Sequence, residues 1–152
     1  MTTPPVGVIA AACTGAAKWG VPASVALAQW ALESGWGLHM PMDSFNPFGI
    51  KARTNPNGVI IDPCVWADTT ECIAGKTEHI KAAFRKFPSI LAAFDYHDEL
   101  LATAHVYAKA MAVKDNPNAF ANALSGVYAT DPDYGAKLIA IMKGSNLYQY
   151  DV

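Results

Sequence analysis

Apolar residues recur at helical spacing in six stretches of the chain, set apart by clusters of Gly, Pro, Asn and Asp. The first predicted helix covers residues 5–19, with Ile9, Ala12, Ala16 and Trp19 on one face. Gly20-Val21-Pro22 makes a turn, and Pro22 suits the first turn of a second helix that buries Val25, Ala28 and Leu32. Gly35 and Gly37 stop that helix. Residues 38–48, with Pro41, Asp43, Asn46 and Pro47, read as loop. The pattern then changes. Val59-Ile60-Ile61, Val65-Trp66 and residues 80–84 read as short strands, broken at Asn55-Pro56-Asn57-Gly58, Asp62-Pro63 and Ala74-Gly75-Lys76. Helical spacing resumes after Pro88-Ser89 with Ile90, Leu91, Phe94, His97, Leu100 and Leu101, and again over residues 105–111, 117–124 and 132–143. The expected architecture is mainly α with a small β lobe, an α+β chain. With no repeat, low-complexity tract or linker, residues 1–152 read as one domain, long enough to bury a core without a metal.

Composition narrows the partners. Hydrophobic residues make up 52% and charged ones 16%, and the net charge is −2. No apolar run approaches the roughly 18 residues of a membrane span, so no membrane partner is expected. No basic stripe neutralises phosphates, so none is expected from nucleic acid either. The N-terminus lacks the positive start of a secretory signal. His39, His79, His97 and His105 form no ligand motif and read as structural or surface residues; no metal and no cofactor is expected. Cys13 reads as a small buried residue of the first helix. Cys64 and Cys72 straddle a predicted hairpin, a separation that suits a disulfide and an oxidising compartment. Two unconnected thiols, or a poor zinc site with His79, are the alternatives.

One residue breaks the apolar pattern of the second helix. Glu33 stands near its end, in Leu27-Ala28-Gln29-Trp30-Ala31-Leu32-Glu33-Ser34-Gly35-Trp36-Gly37. A desolvated carboxylate costs several kcal/mol, roughly, unless it is paired or neutral. Trp30 and Trp36 would flank it on a continuing helix, and the negative end of the macrodipole lies beside it. Both effects raise its pKa and make a general acid. The plain alternative is a Glu pointing to solvent from an amphipathic helix. Ser34 beside it has no base in its sequence context and reads as bonding back to the helix.

Four further segments follow in order: Phe45-Asn46-Pro47-Phe48-Gly49-Ile50-Lys51-Ala52, Thr69-Thr70-Glu71, Ala83-Phe84-Arg85-Lys86-Phe87-Pro88-Ser89 and Val127-Tyr128-Ala129-Thr130-Asp131-Pro132-Asp133-Tyr134. Together with the Glu33 segment they resemble glycoside hydrolase family 73, the bacterial endo-β-N-acetylglucosaminidases that cut peptidoglycan and include flagellar rod-associated hydrolases. The likeness runs over residues 21–142. It implies a lysozyme-like fold and a pair of carboxyl groups about the scissile bond. Glu33 matches the family's catalytic Glu within A-L-E-S-G-W-G. Glu71 fits the partner Glu that the family places in the β lobe ahead of F-R, with Glu78 and Asp68 as rivals. In a substrate-assisted variant Glu71 would orient the sugar's acetamido group or the water. Tyr128 matches the family's tyrosine, as active-site wall or hydrogen-bond donor, although Val127 stands where the family usually has Gly. Asn46, Phe48 and Gly49 are expected to line the cleft, Asn46 bonding a sugar or fixing the loop, with Pro47 in place of the common Leu. Tyr107 and Tyr134 are weaker candidates for sugar contact or core.

The implied substrate is the peptidoglycan glycan strand, cut after N-acetylglucosamine; a muramidase or lytic transglycosylase, or a non-catalytic glycan-binding module, are the alternatives. A wall hydrolase made in the cytoplasm without an export signal points to delivery by other machinery. That means either a type VI-secreted antibacterial toxin with a periplasmic immunity protein, or a phage endolysin.

Overall fold

A computed structural model of the chain describes residues 1–152, apart from the side chains of Cys72 and Ile73. Its helical body is built around α2 (Ala23–Ser34). Every residue from 23 to 31 is buried, so the helix is engulfed rather than amphipathic. The small side chains of Ala23, Ala26, Ala28 and Ala31 allow this, because they let neighbours approach on all sides. α1 (Val6–Trp19), α5 (Pro117–Ala123), α6 (Tyr134–Gly144) and a 3-10 turn at Leu147–Tyr150 pack around it, and α3 (Ile90–Thr103) lies against α1. Trp30, Leu27, Phe94, Leu101, Phe120, Leu138 and Met142 fill the space between. The short α4 (Ala108–Met111) follows a 3-10 turn at His105–Tyr107.

Sequence chemistry sets the helix ends. Gly20 (φ 81°) and Gly35 (φ 55°) take the left-handed conformation and donate their N–H groups back to Ala16 and Ala31. Ser89 caps α3 by accepting from Ala92 N at 3.1 Å, and Asn116 caps α5 at Ala119 N, also at 3.1 Å. Ser34 does bond back to its helix, donating to Trp30 O at 2.5 Å, and accepts from Gly37 N at 2.8 Å. Gly15 has a different task. A Cβ there would fall 2.0 Å from Asp98 Oδ2, so its missing side chain lets α1 and α3 close over that carboxyl group.

The β lobe is a two-stranded antiparallel ribbon, β1 (Cys64–Ile73) and β2 (Lys76–Arg85). Ala74 (φ 52°) and Gly75 (φ 78°) turn it, and two positive φ values are the signature of a type I′ hairpin. The strands run unbroken for ten residues each, longer than the short pieces expected. Residues 59–61, expected as a strand, supply only the bridge Thr54↔Ile60. There Asn55 Oδ1 accepts from Asn57 N (2.9 Å) and Val59 N (3.0 Å), tying the chain into a turn.

The expected Cys64–Cys72 disulfide is overturned. Both residues lie on β1, Cys64 opposite Arg85 and Cys72 opposite Thr77. Eight steps of an extended strand span about 26 Å, whereas bridged Cα atoms lie within about 7 Å. The Cys72 side chain is outside the described residues; the backbone alone decides, and Cys64 is a free thiol.

Asp62 anchors the ribbon's base. Its carboxylate accepts from Arg53 N at 2.8 Å and from the Arg53 guanidinium at 2.9 Å, and lies 3.3 Å from Arg85 Nη1. Arg85 in turn lies 4.2 Å over the Tyr96 ring of α3. The Arg53 hydrogen bonds, the largest cause, hold the Asp62 carboxyl down to about 2 from an ordinary 3.8. A depressed carboxyl stabilises the fold fully above pH 4 and loses that contribution as pH falls through about 2. Urea titrations should therefore show Asp62→Asn to be less stable than the parent at neutral pH, with the gap closing below pH 4. A gap that stays constant into acid would mean that the carboxylate's charge does not anchor the ribbon.

Candidate active site

Glu33 lies in the last turn of α2, at the centre of a groove. On one side a cavity of about 690 Å³ opens toward the ribbon, lined by Glu33, Phe48, Gly49, Lys51, Thr69 and Glu71 among others. On the other side a cavity of about 370 Å³ is lined by Glu33, Phe48, Gly49, Leu100, Tyr107 and Tyr128 among others. Glu33, Phe48 and Gly49 belong to both. A polymer laid along the groove would thus place residues on either side of the carboxyl group.

The environment of Glu33 differs in part from the expected one. Trp30 and Trp36 do not line the groove; they pack on each other edge to face, at 5.6 Å and 88°. Gly35 ends the helix before Trp36, which itself takes a positive φ of 61°. The walls are Phe48 and the tyrosines. Tyr134, at the start of α6, donates to Glu33 Oε1 at 3.0 Å. Loss of hydration raises the Glu33 pKa, offset in part by the Tyr134 hydrogen bond and by His97 nearby. The side chain remains exposed toward the groove, so water still reaches it. A bound sugar would displace that water and raise the pKa further.

Glu71 faces Glu33's cavity from the ribbon, half-buried and ion-paired with Lys51. Its rival Glu78 is its direct cross-strand partner. Paired residues share a face of the ribbon. Glu78 is exposed there and does not line the cavity. Asp68, the other rival, is exposed on β1 opposite Lys81 and lines the same cavity.

Among the aromatic candidates, Tyr128 is half-buried in the groove wall, stacked on Tyr134 (5.7 Å, 14°) and edge-on to His97 (5.9 Å). Tyr107 lines the same wall, 6.2 Å from Tyr128. Tyr134 is not placed for sugar contact: it is only 3% exposed, and its hydroxyl is taken by Glu33 and Gln29. Asn46 fixes the loop rather than a sugar. Its Nδ2 donates to Ile50 O and Arg85 O, and its Oδ1 accepts from Phe48 N and Ile50 N, leaving no free capacity. Phe48 is a groove wall whose other face stacks on His97 at 4.1 Å. Gly49, at φ 65°, has open space where a Cβ would point, so the groove floor there is bare backbone.

Three residues of the site carried no functional reading in the sequence. Gln29, one turn before Glu33, is fully buried and donates to Tyr134 Oη at 3.0 Å. His97 and Asp98 are fully buried behind it. Their signal was a polar pair on the apolar face of α3, where each group needs a partner.

With this geometry in view, likeness to known proteins decides the family. The family model described as mannosyl-glycoprotein endo-beta-N-acetylglucosaminidase matches residues 9–147. The chain belongs to the glucosaminidase family of glycoside hydrolases. An autolysin of Enterococcus faecalis is 40% identical over 138 residues, covering 85% of this chain and 18% of its own length. The peptidoglycan hydrolase FlgJ of Salmonella typhimurium is 34% identical over 129 residues, covering 82% of this chain and 40% of its own. This chain therefore spans less than half the length of either relative. Among solved structures, a peptidoglycan hydrolase mutant from Sphingomonas sp. A1 superposes with a TM-score of 0.77 at 36% identity, over 93% of this chain and 92% of that one. The family's α+β, lysozyme-like fold is the fold described above.

Proposed function

We propose that residues 1–152 act as one catalytic domain that hydrolyses the β-1,4 bond after N-acetylglucosamine in peptidoglycan. One observation carries this reading: a carboxyl group of raised pKa sits at the midpoint of a groove open on both sides, in a chain of the glucosaminidase family. Glu33 donates its proton to the glycosidic oxygen as the bond breaks. Glu71, across the cavity, stabilises the positive charge that develops at the sugar or orients the acetamido group or water. The ion pair with Lys51 holds the Glu71 carboxyl group in place at the cavity. Tyr128 forms an apolar wall against a sugar face, Phe48 backs the groove from its buried place on His97, and the bare backbone at Gly49 lets the glycan approach closely.

Mass spectrometry of digested, purified sacculi tests the bond assignment. New reducing N-acetylglucosamine ends are expected. Reducing or anhydro-muramic ends would instead make the chain a muramidase or transglycosylase, and an undigested sacculus would make it a binding module. For its setting we infer an antibacterial toxin acting on the periplasmic wall, held in check by an immunity protein. Export of the chain to the periplasm of a Gram-negative host should cause lysis, and co-production of an exported protein encoded beside it should prevent that lysis.

A further inference from the structure

A continuous line of hydrogen bonds runs from the interior of the helical body to Glu33. Asp98 Oδ1 lies 2.7 Å from His97 Nδ1, and His97 Nε2 lies 2.8 Å from Gln29 Oε1. Gln29 Nε2 donates to Tyr134 Oη at 3.0 Å, and Tyr134 donates to Glu33 Oε1 at 3.0 Å. Gln29, His97 and Asp98 are each 0% exposed, so water does not compete for these groups.

The direction of the line follows from counting hydrogens. Gln29 Oε1 carries none, so its bond to His97 requires a hydrogen on Nε2. Gln29 then gives its amide N–H to Tyr134, and the one hydroxyl hydrogen of Tyr134 goes to Glu33 Oε1. A proton on Glu33 must therefore sit on Oε2, the oxygen left to face the groove. If His97 lost the Nε2 hydrogen, every bond between His97 and Glu33 would reverse. Gln29 would turn its N–H toward His97 and accept the Tyr134 hydroxyl, and Tyr134 would accept from Glu33. The catalytic proton would then point inward, away from substrate.

We propose that His97, acting through Gln29 and Tyr134, is a positioning residue that keeps the Glu33 proton on the groove-facing oxygen. The working state holds one hydrogen on His97 Nε2, one between Nδ1 and Asp98 Oδ1, the Tyr134 hydroxyl hydrogen on Glu33 Oε1, and the proton to be delivered on Oε2. After delivery to the leaving oxygen, Glu33 is a carboxylate still held by Tyr134. No proton travels along the line. The surroundings suit this role. Among the described residues Asp98 Oδ2 has no hydrogen-bond partner, and the bare backbone of Gly15 on α1 closes over it, so His97 is the group that this carboxyl holds. Of the other acids on α3, Asp95 is turned to Lys18 and Trp19 of α1, and Glu99 is exposed. Tyr128 and Tyr107 face the line from the groove wall, and Phe48 stacks on the imidazole without bonding either nitrogen. Glu71 and Lys51 lie across the cavity, paired to each other.

This role rests on Glu33 being the acid, so the test compares wild type, Glu33→Gln, His97→Phe and His97→Gln on one purified peptidoglycan across pH. His97→Phe keeps a ring against Phe48 but has no donor. Its kcat should fall by about ten-fold or more with KM nearly unchanged, as for a group that acts on the transition state. Its basic limb should move up, because without the His97 donor Gln29 is free to turn and no longer holds the Tyr134 hydroxyl toward the Glu33 carboxylate. His97→Gln offers an N–H where Nε2 stood and should recover most of the lost rate and the original limb. A merely structural histidine would lower the rate without moving the limb, and that outcome, or identical behaviour of the two His97 variants, overturns the role. If Glu33→Gln hydrolyses like wild type, the acid assignment falls and this role with it; if it is inactive while the limb of His97→Phe stays put, only this role falls. Should the Phe variant not fold, nitrogen-15 NMR of wild-type His97 decides. A hydrogen on Nε2 at the pH of activity is expected, and a bare Nε2 there refutes the role.

Discussion

Replacing Glu33 with Gln is expected to lower turnover on purified sacculi by on the order of 10²–10⁴-fold, the usual worth of a general acid. The fold should not suffer. Gln has nearly the same volume, and its amide oxygen can still accept the Tyr134 hydroxyl, so the variant loses only the proton. Its stability at neutral pH should equal or slightly exceed that of the parent. Burial raises the Glu33 pKa, so the ionised side chain opposes folding above its ordinary range, and a neutral Gln removes that opposition. Activity in the parent should fall as pH rises through the same raised pKa. The limb of kcat should lie at higher pH than that of kcat/KM, because a bound sugar strips the remaining water from the carboxyl group. Retention of more than about a tenth of parental turnover would sink the assignment, since no acid could then be contributing even the low end of that range.

The second large effect belongs to the ribbon. Glu71→Gln should lower kcat by about ten- to a hundred-fold while leaving glycan binding nearly unchanged, the mark of an interaction made mainly in the transition state. Glu78→Gln is the matched comparison. The two acids are direct cross-strand partners on one face of the ribbon, differing in that Glu71 is half-buried beside Lys51 and Glu78 is exposed. Removing the Glu78 charge also relieves a like-charge pair, so the ribbon should gain slightly in stability if anything. Kinetics of both variants on one substrate at one pH decide the matter. If Glu78 proves essential and Glu71 dispensable, the partner carboxyl group has been placed on the wrong strand.

The helices were legible in the sequence because their signals are local. Ser89 and Asn116 cap, Gly20 and Gly35 stop, and the apolar spacing between them survives in the packed core. Glu33 stood out for the same reason, as one charge in a run that the fold buries. The ribbon was harder to read. Its outer half pairs Asp68, Thr69, Thr70 and Glu71 with Lys81, Ile80, His79 and Glu78, and so polar a stretch shows no apolar alternation. The cysteine pair misled because spacing reports separation along the chain and not direction, and one straight strand carries the two apart. Asn46 was read as either a sugar contact or a loop anchor. Only the carbonyls of Ile50 and Arg85, brought to it by the fold, settle the choice. Gln29 and His97 escaped because the bonds that join them to each other and to Tyr134 cross between helices.

The ribbon also divides the labour of the molecule. Its strands pair with each other and lie against the body chiefly at their base, where Asp62 and Arg85 join them to α3, while the apolar core is built from the helices and from loop residues such as Phe48 and Phe87. Changes along the outer strands therefore reach the substrate without passing through the core. A variant library confined to residues 66–71 and 78–83 should thus retain its fold far more often than one of equal size drawn from α2.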